Sequence, residues 1–215
     1  MIIAIEGGDA MGKATQSKLL AAKLDAVRFS LPFYETPAGQ AILSNLKGEW
    51  CAARSQPPGD PLPFVRSWVH VDKAINAMVL QSLMMMNRLE LMPEIKATLQ
   101  EGKSIVFDRY TPSAIVYGAT DGLDVQWVEL INSAMPPADV CILLDGPVSI
   151  GFERRPERRD RYEKDHAFLC RIRDEYLALF QRAPSRLARR WCVVDATGTV
   201  DEVHERIVKA AEATL

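Results

Sequence analysis

Residues 3–17, IAIEGGDAMGKATQS, carry the densest chemistry in the chain. Gly7 and Gly12 are separated by four residues and Lys13 follows at once, which is the spacing of a loop that cradles phosphates. Such a loop turns backbone N–H groups inward, here from Gly7 and Gly8 through Asp9, Ala10 and Met11 to Gly12, Lys13, Ala14 and Thr15. The helix that opens behind it adds the positive end of its dipole. Lys13 would set a point charge beside a transferring phosphoryl group. Ala14 stands where these loops usually carry a hydroxyl for magnesium, so the loop alone leaves the metal open. No Asn-Lys-x-Asp stretch follows, which removes GTPases from consideration. A second feature, ERRPERRDRYE at 153–163, is almost entirely charged, and its plain reading is a solvated helix end.

The elements that would position these residues follow from hydropathy. Apolar runs at 1–6, 26–31, 104–109, 140–145 and 191–196 mostly lack polar alternation, as strands covered on both faces do. Helical patterns fall between them, at about 13–24, 73–100, 125–134, 166–182 and 200–213. Alternation of strand and helix predicts right-handed crossovers and an α/β fold with a five-stranded parallel sheet. The 215 residues suit a single domain, and 48% hydrophobic content is enough for its core. A net charge of -2 offers no bulk field for nucleic acid or an anionic membrane, so phosphate binding has to come from local clusters. Four scattered cysteines without a CxxC pair predict reduced thiols in a cytoplasmic protein, and no signal peptide or membrane span is visible. The proline-rich stretch within 51–65 reads as a loop.

Further segments match one pattern in order along nearly the whole chain. They are GGDAMGKATQ (7–16), LPFYETPAG (31–39), MMMNRLE (84–90), FDRYTPSAIVYG (107–118), MPPADVCILLD (135–145), RRDRYEK (158–164) and VVDATGTVDEVHERI (193–207). Together they resemble the thymidylate kinases, a family of P-loop nucleoside monophosphate kinases. Ala138 departs from that pattern as an extra residue before Asp139, and about 50–72 has no counterpart. That segment carries Trp50, Phe64, Val65 and Trp68, and such side chains predict an ordered element rather than disorder.

The resemblance implies transfer of the ATP γ-phosphate to dTMP in deoxynucleotide synthesis, with Mg²⁺, by a cytoplasmic homodimer whose flexible lid lies near 153–163. By the same resemblance Thr15 is the steady hydroxyl of the loop, so Ala14 does not sink the site. Asp9 and Asp108 become the metal candidates, partly through water. Arg109 would hold the acceptor phosphate as a fork, and Arg88 would reach both that phosphate and the base edge. Pro32, Phe33, Tyr34, Ser113, Ala114 and Tyr162 would complete the monophosphate pocket, and Asp195, Ala196 and Thr197 the adenine loop. Tyr117 either crowds the 2′ position or is a packed aromatic. Met84 either floors the base pocket, where the family usually has Phe, or belongs to the core. The loop lacks an arginine, so Arg154, Arg158 and Arg159 are the candidates to supply transition-state charge from the lid. Two rivals remain at this point, a kinase of a dUMP-like deoxynucleotide and a non-catalytic nucleotide-binding regulator.

Overall fold

The structure is a computed structural model that describes residues 1–48, 73–154 and 166–213. Five strands, β1 (Ile2–Gly7), β2 (Val27–Ser30), β3 (Ile105–Asp108), β4 (Ala138–Asp145) and β5 (Ala188–Asp195), form one parallel sheet in the order β2-β3-β1-β4-β5. This is the expected five-stranded parallel sheet. Its strands carry two alternating sets of side chains. Ile2, Ala4, Ile105, Phe107, Cys141 and Leu143 belong to one core. Ile3, Ile5, Val106, Val140, Ile142 and Leu144 belong to the other. Both faces are therefore covered, which is why the sequence shows runs rather than polar alternation.

Nine helices lie among the described residues: α1 (Lys13–Lys23), α2 (Pro37–Leu46), α3 (Lys73–Glu90), α4 (Met92–Gln100), α5 (Thr111–Thr120), α6 (Val125–Asn132), α7 (Val148–Arg154), α8 (His166–Arg182) and α9 (Val200–Glu212). The single helix expected at 73–100 is two. Leu91 N–H bonds to Arg88 O at 3.2 Å, and Pro93 sits in the first turn of α4, where its missing N–H costs no helical bond. Helices α2, α5 and α7 were not expected from periodicity. In α5 nearly every residue from Thr111 to Val116 is buried, so an all-round apolar helix left no amphipathic trace.

Two short devices hold the acceptor side of the site in shape. Thr36 caps α2 by accepting from Gly39 N–H at 3.1 Å. A Cβ on Gly39 would lie 1.9 Å from Phe33 O, so no larger residue fits where α2 turns back on this loop. Asn87 then clasps Phe33, accepting from its N–H and donating to its C=O, each at 2.8 Å. The segment at about 50–72, including Trp50, Phe64, Val65 and Trp68, and the lid residues Arg155, Arg158, Arg159, Arg161 and Tyr162 lie outside the described residues. Among the described residues no helix is long and apolar enough to cross a membrane.

Candidate active site

At the carboxyl end of the sheet the chain leaves β1 through the glycine loop, and Arg109 follows β3 directly. Gly7 has φ 140°, and a Cβ there would sit 2.5 Å from Leu144 O, so the exit from β1 admits only glycine. Beyond it a cavity of about 970 Å³ opens, walled by the loop, β2, α2, α3, α5 and the start of α9. Of the expected loop residues, Asp9 through Thr15 line it, while Gly7 and Gly8 sit behind.

Lys13 is 7% exposed and its Nζ donates to Gly8 O at 2.5 Å. Burial pushes its ammonium down to about 8, Arg109 adds to the depression, and Asp9, Asp108 and Glu6 oppose it. Phosphate anions favour the charged form, so their arrival should draw a proton onto Lys13. We expect ADP binding at about pH 8.5 to take up a proton, with the uptake fading towards pH 7, where the ammonium is already charged. Calorimetry in buffers of different ionisation enthalpy reads this, and Lys13→Arg should abolish it. Equal uptake in both proteins would assign the proton elsewhere.

Arg109 is held from several sides. Its Nη2 donates to Asp9 Oδ1, its Nη1 lies 3.5 Å from both Gly7 O and Tyr176 Oη, and its guanidinium stands 5.2 Å from the Tyr117 ring centre. Its φ of 67° is left-handed, a strained conformation for a residue with a side chain. Tyr117 Oη also donates to Asp9 Oδ2 at 3.2 Å. The loop and the end of β3 are thereby tied into one unit.

Beneath them Glu6 is fully buried and accepts from Tyr110 N–H, Ser113 Oγ and Tyr176 Oη. Burial raises its carboxyl above the usual range against those donors. Ser113 lines the cavity, but its hydroxyl is committed to this cluster. Sequence reasoning missed Glu6 and Tyr176. An acidic residue at the end of an apolar strand was the available signal for Glu6.

Arg88 is 3% exposed, and burial lowers its guanidinium to about 10. Its Nη2 donates to Tyr110 O at 3.0 Å, and among the described residues its Nε and Nη1 are buried without an acceptor. Pro32, Tyr34, Met84, Ala114 and Tyr117 share the cavity with it, whereas Phe33 is turned into the Asn87 clasp and does not line it.

Asp108 also lines the cavity, but Arg28 donates to its Oδ2 at 2.9 Å and Ser30 lies 3.4 Å from the same oxygen. Arg28, which the sequence reading passed over, donates in turn to Ser17 Oγ at 2.7 Å. Among the described residues no three acidic, His or Cys side chains form a metal-binding group. Asp9 and Asp108 are the two carboxylates that line the cavity.

Two expected assignments land differently. Asp195, Ala196 and Thr197 do not line the cavity. Asp195 accepts from Thr197 N–H and Oγ1 and closes a turn, and Gly198, Thr199 and Val200 form the wall beyond it. Arg154 does line the cavity, but its Nη2 is bound to Ala196 O at 3.0 Å and Gly198 O at 3.3 Å. It braces that wall rather than pointing free charge at a phosphate. Arg158, Arg159 and Tyr162 lie outside the described residues.

The thymidylate kinase family model matches residues 40–207. The chain belongs to this family. The match begins after the glycine loop, yet curated family members align over the whole length. A thymidylate kinase of Pelotomaculum thermopropionicum is 30% identical, with 99% of this chain and 93% of that one covered. A probable thymidylate kinase 1 of Saccharolobus solfataricus is 27% identical, covering 100% of this chain and 98% of the relative. Among solved structures, a thymidylate kinase from Candida albicans superposes with a TM-score of 0.74 at 22% identity, covering 99% of this chain and 91% of that one. The fold is thus that of the P-loop monophosphate kinases.

Proposed function

We propose that this thymidylate kinase transfers the γ-phosphate of ATP to dTMP, giving ADP and dTDP. One observation carries the reading at this site. The large cavity is lined by five basic residues, Lys13, Lys47, Arg88, Arg109 and Arg154, against two acidic ones, Asp9 and Asp108. Such an excess of positive charge in a sheltered cleft suits a polyanion, and two facing nucleotides supply one. Phosphoryl transfer asks for alignment and neutralisation of charge on the equatorial oxygens, with little covalent help.

In this reading Lys13 and the loop N–H groups hold the donor phosphates. Arg109 presents its fork to the acceptor phosphate, and Asp9 fixes that fork. The two unpartnered N–H groups of Arg88 take the acceptor phosphate or a carbonyl of the base. Gly198 to Val200, braced by Arg154, form the wall for adenine. Mg²⁺, held through Asp108 and the phosphates, would neutralise charge that builds on the transferring group. The Arg28–Asp108 pair holds that carboxylate in place. Loss of dTMP-dependent ADP formation in Asp108→Asn, with an unchanged melting temperature, would support this assignment, and full activity would remove it.

Met84 carries a second expectation. It lines the cavity one turn before Arg88, and its flexible thioether replaces the flat platform that a Phe would give. One methyl in an apolar pocket is worth about 1–3 kcal/mol, and a loose floor extracts the low end. We therefore expect dUMP to come within roughly tenfold of dTMP in kcat/KM, about 1.4 kcal/mol, and Met84→Phe to widen the gap. A wild-type preference of several hundredfold, or a ratio unmoved by the substitution, would make Met84 ordinary core.

The proposed homodimer rests on α3 and α6. Met78, Met86 and Leu89 on α3 and Leu130 on α6 are exposed, with Leu130 at 70%. Large apolar side chains gathered on two contacting helices suit a second copy. A mass measurement that finds only monomer at micromolar concentration would refute it.

A further inference from the structure

Gln81 lies on α3, three positions before Met84 and seven before Arg88, so all three share one helical face. It lines the large cavity with them and with Ala114 and Tyr117 of α5. It also lies against α5, since a Cβ on Gly118 would be 3.7 Å from Gln81 Cγ. Gln81 is 3% exposed, and its Oε1 is buried with no hydrogen-bond partner among the described residues. A buried polar atom left unpaired is costly, and native proteins rarely keep one without a use. Ala114, which lines the same cavity, has no polar side-chain atom to offer.

We propose that Gln81 reads the base, with its Oε1 accepting the N3–H of a 4-oxo pyrimidine. The inference rests on the proposed dTMP kinase reading and deepens it. The chemistry of the two unpartnered groups on this face is complementary. Arg88 offers N–H donors that lack acceptors, and Gln81 offers an acceptor that lacks a donor. A 4-oxo pyrimidine carries the reverse pair on adjacent atoms, a carbonyl acceptor at position 4 and an N–H donor at position 3. The two side chains can converge on that edge because helical side chains lean towards the N-terminus, which carries the long Arg88 back towards Gln81. The last torsion of a glutamine is soft, so the amide turns onto the pocket wall when a base arrives. Cytosine fails with this pair. Its 4-amino group would meet the donors of Arg88, even though the amide of Gln81 could turn over to suit its ring nitrogen. Gln81 is thus a specificity-determining residue and acts on the class of base rather than on its 5-substituent.

The test is a cycle between residue and substrate. Steady-state kcat/KM is measured for dTMP and for its N3-methyl analogue, which keeps the 4-oxo group but has no proton at position 3, with wild type and with the near-isosteric Gln81→Leu, so that the added methyl is met by a side chain of similar size in both proteins. Wild type should prefer dTMP by roughly 10- to 100-fold, as expected for a buried hydrogen bond with an otherwise unpaired acceptor. In Gln81→Leu that preference should fall to about threefold or less, through loss of dTMP activity and not through gain of the analogue. The unliganded variant should melt no lower than wild type, because it discards a buried unpaired atom. A wild-type ratio near one, or a ratio that survives in Gln81→Leu, overturns the proposal. So does a lower melting temperature, which would show that the amide already has a structural partner. Absence of any dTMP turnover by wild type would instead remove the underlying kinase reading and this inference with it.

Discussion

Lys13→Ala lowers kcat for dTMP-dependent ADP formation by roughly 10²- to 10³-fold, or about 2.7–4 kcal/mol of transition-state stabilisation. The size follows from the setting of the ammonium. It is buried at the mouth of α1, its one protein partner among the described residues is Gly8 O, and no carboxylate neutralises it by direct contact. Its charge is therefore available to an incoming phosphate, in surroundings dry enough to make that charge count. Holding it there is costly to the fold, as its depression to about 8 records. Below that pH the folded protein must bury a charge that the unfolded chain solvates. The variant should thus lose turnover without losing stability at neutral pH. Single-turnover kinetics together with thermal melting separate the two effects. Wild-type turnover would count against the whole phosphate-loop reading, and a collapse in melting temperature would reassign Lys13 to the fold.

Arg109→Lys should reduce kcat/KM for dTMP by roughly 10²-fold or more, while KM for ATP moves much less. Lysine keeps the charge and faces the same left-handed backbone, so the substitution isolates the fork. Arg109 reaches Asp9 Oδ1, Gly7 O and Tyr176 Oη from different edges of one planar group while lying over Tyr117. A single ammonium cannot make that set of contacts at once. The loop carboxylate Asp9 would then lose its anchor, and the acceptor phosphate a bidentate partner. Varying each substrate at saturation of the other gives the split. Equal losses for both substrates would mean that Arg109 shapes the loop and does not contact the acceptor.

The parts of the molecule that were legible in the sequence are those governed by local rules. The apolar runs at 1–6 and 140–145 and the glycine spacing of 7–13 need no partner to be recognised. The parts that were not legible depend on packing between distant segments. Helix α5 is buried on all sides, so its sequence has no polar face to reveal a period. Ser113 looked free to meet a ligand, but its hydroxyl is committed to a Glu6 that lies 107 positions away. Arg28 lies on a short strand with nothing local to mark it, and only the pairing of β2 with β3 brings it to Asp108. Asp195 to Thr197 look like a nucleotide loop from motif position, yet the Asp195 side chain is used up in closing their turn, which pushes the cavity wall on to Gly198 to Val200. Gln81 did leave a trace, since it repeats the helical spacing of Met84 and Arg88, and counting back one more turn from those residues would have found it.

The measurement that bears most directly on the account is ADP release from ATP over a panel of nucleoside monophosphates, followed by a coupled assay with the wild-type chain. The account predicts release that depends on dTMP, tolerates dUMP, and is weak or absent with dCMP and with purine monophosphates. A panel in which no monophosphate stimulates ADP release, or in which a purine does so as well as dTMP, would contradict it.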